Sequence, residues 1–456
     1  MTRILLRAHK DPFTTVSAHE ALTKNRIGNN TGNLVFSLAA QRLLSVEGVD
    51  IDARRLTGLT AEQVNEEYDA LVIPLANAFR VSFRHQLDEL SAVIEKLTIP
   101  VTILGVGIQA PLGKGARPSS VIDESVQRFV AAVLDRSASI GVRGGATARY
   151  LDELGFGEPH IQVIGCPSMF MRGGSLTVAK RAESLDRLSP IALNLSPYEH
   201  TAALGRLSMD GAEQFPNLMY VAQDHVTLGL LVTGEYRTRF TLDPDLPVHL
   251  DHPLVAQNRV RMFLDPQPWF DFLSGCDFTL GTRIHGNITS LQAGTPALVL
   301  AHDTRTLELA EYHRIPHLTL EQSAGQSIAR LYDLTDLEPL LSAHPERWER
   351  FRAYLEVQQL AHIFQEGRDR GAAFDSRLAA MTYPPAVQAI SGLPLRDLYA
   401  MRQENGDLRR EVRGLRKQLR QAAPTPPTAL HALAAVVKRR LRRGGGDGNP
   451  SAGAAS

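Results

Sequence analysis

Two residues apart, Arg283 and His285 bring together a permanent forked cation and a side chain that exchanges protons near neutral pH. They lie in Cys276-Asp-Phe-Thr-Leu-Gly-Thr-Arg283-Ile-His285-Gly286, which continues through Asn-Ile-Thr-Ser-Leu-Gln-Ala to Gly294-Thr295-Pro296. The pattern predicts a strand ending near Leu280, a short loop carrying Arg283 and His285, and a helix from about Gly286 to Ala293. Free backbone N–H groups and the helix macrodipole favour anions at such a junction. A guanidinium there grips carboxylate or phosphate through two parallel bonds. The plainer reading pairs Arg283 with a local carboxylate and packs His285 in the core; the junction favours chemistry. After the next buried strand a second loop holds His302, Asp303 and Arg305. Asp303 suits a helix N-cap as well as a ligand contact, and Arg305 suits an anion.

These loops need a scaffold of strands that end where they begin. Leu71-Val72-Ile73-Pro74 and Val101-Thr102-Ile103-Leu104 are continuous apolar runs, as in strands buried on both faces of a parallel sheet. Ile4-Leu5-Leu6, Ser139 to Val142 and Ile161 to Ile164 add strand signals, with helical spacing at Leu34 to Leu44, Phe83 to Leu97 and Ser125 to Ser137. After Arg172-Gly173-Gly174-Ser175 the rhythm restarts at Ile191 and runs through Leu218, Met262, Phe278 and Ala297 to Leu300. The expected fold is α/β, with two Rossmann-like domains facing a cleft, at 1–170 and 171–385. Ligands in such folds bind beyond the C-terminal ends of the strands.

Length and charge agree with this and add a tail. At 456 residues the chain suits two or three domains of roughly 150 residues each. The formal net charge is zero, yet residues 396–443 hold thirteen Lys/Arg against four Asp/Glu, so a mildly acidic body carries a basic C-terminal segment. Leu398, Met401, Asn405, Leu408, Val412, Leu415 and Leu419 have coiled-coil spacing, so 396–420 is expected to form a short coiled coil. The stretch 398–419 either pairs two chains or packs on the body. Residues 428–443 read as a basic amphipathic helix suited to an anionic membrane surface or as a solvated tail, and 444–456 as disordered. Nucleic acid is not expected, because the tail lacks interleaved aromatics and the body is acidic. No apolar run spans a bilayer, and two cysteines, Cys166 and Cys276, indicate a reducing compartment. The expected location is the cytoplasm, including the inner face of the membrane. No His or Cys spacing suits a metal.

The segment Gly281-Thr-Arg283-Ile-His285-Gly-Asn-Ile-Thr-Ser-Leu-Gln-Ala-Gly-Thr-Pro, on through His302-Asp-Thr-Arg305 to Pro316, closely resembles the core of polysaccharide pyruvyl transferases. Leu104-Gly-Val-Gly-Ile108, Ser139-Ile-Gly-Val-Arg143-Gly-Gly-Ala-Thr147 and Gly165-Cys-Pro-Ser168 resemble that family's shorter motifs. The resemblance, discontinuous over roughly residues 25–320, implies a GT-B-like fold with its site between the domains. It implies transfer of the enolpyruvyl unit of phosphoenolpyruvate onto sugar hydroxyls of a polysaccharide or a lipid-linked precursor, leaving a pyruvate ketal. By the same resemblance His285 is the general acid, while Arg283 and Arg143 bind phosphoenolpyruvate; Asp303, Arg305 and Asn33 complete the expected substrate contacts. The scheme asks for no cofactor beyond phosphoenolpyruvate as donor substrate. Two positions depart from the family pattern. Asn33 stands where an acid often follows the glycine-rich loop Gly28-Asn29-Asn30-Thr31-Gly32, and Gly144 follows Arg143 where aspartate is common. The alternatives are a GT-B-type nucleotide-sugar glycosyltransferase and a catalytically silent glycan-assembly protein.

Overall fold

The apolar runs form the strands they predict. In a computed structural model describing residues 1–113, 117–199, 201–234, 243–389 and 395–422, twelve strands build two parallel sheets. The first lobe holds β1 (Thr2–Arg7), β2 (Val49–Arg54), β3 (Ala70–Pro74) and β4 (Val101–Leu104), in the order β2-β1-β3-β4. A pair, β5 (Ile140–Val142) and β6 (Ile161–Val163), extends this sheet, because Val106 bridges Val142 in parallel just past β4. The four residues of β4 are all buried, as expected of a strand covered on both faces.

The second lobe holds β7 (Ile191–Asn194), β8 (Leu218–Ala222), β9 (Val260–Met262), β10 (Phe278–Gly281), β11 (Ala297–Ala301) and β12 (His317–Thr319). Their order is β12-β11-β10-β7-β8-β9, all parallel. Strand order reverses between β7 and β10, which marks the ligand-binding crevice of a doubly wound sheet. The α/β architecture with two facing Rossmann-like lobes is therefore the one found.

Helices follow the expected spacing with small shifts: Gly32–Leu44, Arg84–Ile94, Asp123–Leu134 and Ile284–Gln292. The last begins two residues before the predicted start and so includes His285. Helix Glu338–Val357 joins the lobes. It buries Trp348, Phe351, Tyr354 and Leu355 with Phe170 and Leu104, and the Tyr354 hydroxyl donates to Ile103 O at 2.8 Å. Farther on, Val387 pairs with Met262 beside β9, so the end of the body touches both sheets.

Met1–Gly392 forms one compact unit, and Leu393–Ser456 a second. Within the second, Leu395–Ala422 is a 28-residue helix on which Val412 and Leu415 are exposed. The segments 428–443 and 444–456 lie outside the described residues. Among the described residues no helix is long and apolar enough to cross a membrane.

Candidate active site

The loop after β10 is shaped by Asn194, the last residue of β7. Gly281 sits at φ +151°, where a Cβ would lie 2.1 Å from Asn194 O, so only glycine fits this turn. Thr282 N and Arg283 N then donate to Asn194 O at 2.9 and 3.3 Å, and Arg283 N also donates to Asn194 Oδ1 at 3.1 Å. Asn287 Nδ2 closes the turn by donating to Gly281 O (3.0 Å) and Arg283 O (3.1 Å). Arg283 becomes the N-cap of helix Ile284–Gln292, and His285 falls in its first turn.

His285 is 9% exposed, against Phe36 at 5.3 Å between rings and with Nε2 3.7 Å from Cys166 Sγ. Gly32 makes room for it; a Cβ there would stand 2.8 Å from His285 Cβ. Burial, then Arg143, then Arg305, hold the imidazole pKa well below its ordinary value. The ring is therefore neutral at neutral pH.

Arg143 follows β5 in the first lobe and is 1% exposed. Its Nε donates to Gly105 O at 2.9 Å and its Nη2 to Leu75 O at 3.5 Å; Nη2 also lies 4.0 Å from Cys166 Sγ, and Nη1 has no hydrogen-bond partner. The glycine-bearing segment after β4 exists for this side chain. A Cβ on Gly107 would approach Arg143 Cδ to 3.1 Å, and one on Gly105 (φ +78°) would meet Gly165 O at 2.4 Å.

Arg305 enters from the second lobe on helix Thr304–His313. It pairs with Asp303 at 3.1 Å and donates to His302 Nε2 at 3.2 Å. Asp303 is the helix N-cap, its Oδ1 accepting from Thr306 N at 2.9 Å. Burial opposes its ionisation, but Arg305, His302 and the Thr306 bonds prevail and hold the carboxyl below the usual range. Burial, with Arg305 and Arg283 nearby, pushes His302 down to about 4 against the opposing pull of Asp303.

These groups converge on one cleft of about 580 Å³, lined from both lobes. Asn33, Arg143, Arg283, His285 and Arg305 all border it; Asp303 does not, and sits behind Arg305, accepting from Gln109 Nε2 at 3.4 Å. The arginines divide. Arg143 and Arg305 are the two that act on His285. Arg283 stands 3.7 Å from Asp224 Oδ2 and 5.9 Å from the Tyr198 ring centre, and shares with Arg305 an influence on His302.

Sequence reasoning missed Arg80, Asn77, Gln109, Tyr198 and Asp224, which also line or flank this cleft. Arg80 is lowered to about 10, by burial and then by Arg305. It lies in the loop after β3, where the rule that singled out Arg283 would have found it.

Both departures have local explanations. Asn33 Nδ2 donates to Gly28 O at 2.7 Å and Ile27 O at 3.3 Å, a bond that a carboxylate could not make. At Gly144, the place of a side chain is taken by Glu308 of the second lobe, whose Cγ lies 2.3 Å from where a Cβ would be. Burial pushes the Glu308 carboxyl above its usual range. Among the described residues, no cluster of three or more His, Cys, Asp or Glu is placed to hold a metal.

The fold and cleft define a two-lobed α/β protein with an arginine-rich, histidine-bearing site between its lobes. A family model described as "Polysaccharide pyruvyl transferase" matches residues 30–304, most of the body, and the chain belongs to that family of transferases. No curated protein matches. Among solved structures, an uncharacterized protein of Klebsiella pneumoniae is similar at 13% identity and TM-score 0.37, covering 70% of this chain and 93% of its own. The glycosyltransferase SnogD from Streptomyces nogalater is 12% identical with TM-score 0.31, over 79% of this chain and 99% of its own. The UDP-GlcNAc 2-epimerase of Methanocaldococcus jannaschii, solved with UDP-GlcNAc and UDP, is 11% identical with TM-score 0.38, over 84% and 100%. The strand order and the cleft, rather than these distant likenesses, define the architecture.

Proposed function

We propose that the cleft binds phosphoenolpyruvate between Arg143 and Arg305 and transfers its enolpyruvyl unit to sugar hydroxyls. The observation that carries this reading is that the buried His285 shares one cleft with Arg143 of the first lobe and Arg305 of the second. Phosphoenolpyruvate is anionic at both ends, so paired guanidinium groups suit it by charge and geometry. Its binding offsets the repulsion that keeps His285 neutral, so the imidazole gains a proton as the donor arrives. That proton goes to the methylene carbon, leaving an oxocarbenium-like centre at the carbon bearing the phosphate. One sugar hydroxyl adds there and releases its proton. A second hydroxyl displaces the phosphate, which departs with the remaining proton, and a pyruvate ketal is left across two oxygens.

Arg283, tied to Asp224 and flanked by Tyr198, belongs to the acceptor side of the cleft under this reading. Its unpartnered Nε and Nη2 donors and the facing Asp224 carboxylate together suit hydroxyl groups, which both donate and accept. The test is thermal and catalytic. Phosphoenolpyruvate should raise the melting temperature of the full chain where UDP-sugars do not. Phosphate release with a candidate glycan acceptor should fall steeply in Arg143→Ala and His285→Ala. Stabilisation by UDP-sugars without any response to phosphoenolpyruvate would favour a glycosyltransferase instead.

A further inference from the structure

We infer that Glu308 is a positioning residue that registers Arg143 against Arg305 across the two lobes; the inference rests on the donor-site reading above. Glu308 lies on the same helix as Arg305, three residues farther on, and is 5% exposed. Its carboxylate crosses to the first lobe, where Oε1 accepts from Thr147 N at 2.5 Å and Oε2 from Thr147 Oγ1 at 2.9 Å. Thr147 belongs to helix Gly145–Glu153, which starts two residues after Arg143.

That helix has no cap of its own. Gly144 is its N-cap and provides no side chain, leaving first-turn N–H groups to be satisfied from elsewhere. Glu308 fills the space directly over Gly144 and does the capping from the other lobe. The carboxylate also enters a chain of bonds, because Thr147 Oγ1 accepts from Ile108 N at 3.0 Å. Ile108 adjoins Gly107, the residue against which the Arg143 side chain lies. One buried carboxylate thus touches the helix that follows one donor arginine while riding on the helix that carries the other. A side chain on residue 144 could cap the helix equally well but would not link the lobes. Burying a carboxylate is costly unless it is well bonded, and here it takes up bonds that join the two lobes of one compact unit.

Exchanging the cap while removing the tie separates the two roles. The full chain is compared with Glu308→Ala and with Glu308→Ala/Gly144→Asp, measuring phosphoenolpyruvate affinity by calorimetry and amide hydrogen exchange at Ile108 and over 145–150. Glu308→Ala should bind phosphoenolpyruvate about tenfold more weakly or worse, since small misplacements at a site cost this much. It should also exchange faster at Thr147 and Ile108. In the double variant the substituted cap should slow exchange again, yet phosphoenolpyruvate binding should stay weak. Should Glu308→Ala fail to fold, Glu308→Gln retains one acceptor and is expected to lose affinity at a near-normal melting temperature. Full recovery of affinity in the double variant, or unchanged affinity in either single variant, would overturn the inference. A wild-type chain that does not bind phosphoenolpyruvate would defeat the donor-site reading instead; unchanged exchange at Thr147 and Ile108 in Glu308→Ala would then refute the tie independently.

Discussion

Arg143 and Arg283 border the same cleft but are held differently. Arg143 is held by the carbonyl oxygens of Gly105 and Leu75, with the Cys166 sulfur and the Glu308 carboxyl partly offsetting the cost of burying its charge. Arg283 faces the Asp224 carboxylate at 3.7 Å, and its Nε and Nη2 have no hydrogen-bond partner. Desolvation lowers the pKa of Arg143, so an arriving anion relieves a buried charge there. At Arg283 the same anion must compete with Asp224. Under the proposed function Arg143 meets the multiply charged donor and Arg283 the polar, uncharged acceptor.

Truncating each arginine in turn tests this contrast most severely. Arg143→Ala should lower kcat/KM for phosphoenolpyruvate by about 10³-fold and abolish its thermal shift, as loss of a desolvated charge contact implies. Arg283→Ala should leave most of that shift and chiefly raise KM for the acceptor, by about tenfold. Equal losses of the donor response in both variants would erase the distinction. His285→Ala comes next: phosphate release should fall by about 10²-fold or more, as for a lost general acid, while phosphoenolpyruvate still stabilises the fold.

A smaller effect concerns pH. His302 titrates near 4 in the folded chain, below its unfolded value, so the unfolded chain takes up the proton first. Its contribution to stability is complete above the unfolded pKa and is lost as pH falls towards 4, by about 3 kcal/mol at most. His302→Gln should flatten the acid slope of the melting temperature in that window; an unchanged slope would show that other groups carry it. The smallest effect is expected of Asn33→Asp. Removing an amide donor from Gly28 O and Ile27 O should cost about 1–2 kcal/mol by thermal unfolding, with the donor response kept.

Much of the cleft was legible because its residues follow a rule of position. Arg143, Arg283, His285 and Arg305 each lie just past a buried apolar run, and parallel α/β sheets place such loops along one edge. Arg80 obeys the same rule, past the run that ends at Pro74. The strands were equally legible, since runs such as Leu71 to Pro74 bury both faces and carry no polar interruption. What could not be read depends on how the lobes dock. Nothing near Glu308 in the chain points to Gly144 or Thr147, which lie some 160 residues earlier. Helix Glu338–Val357 shows an apolar face, but periodicity alone does not say which sheet receives it. The partition of the arginines is of the same kind, because Asp224 and Arg283 meet only through the pairing of β7, β8 and β10.

The mechanism turns on donor binding between Arg143 and Arg305 charging His285. Calorimetric titration of phosphoenolpyruvate into the full chain, near neutral pH in buffers of different ionisation enthalpy, counts the protons taken up on binding. Uptake of about one proton is expected for the wild type and close to none for His285→Gln. Binding without proton uptake in the wild type, or the same uptake in both, would refute the mechanism.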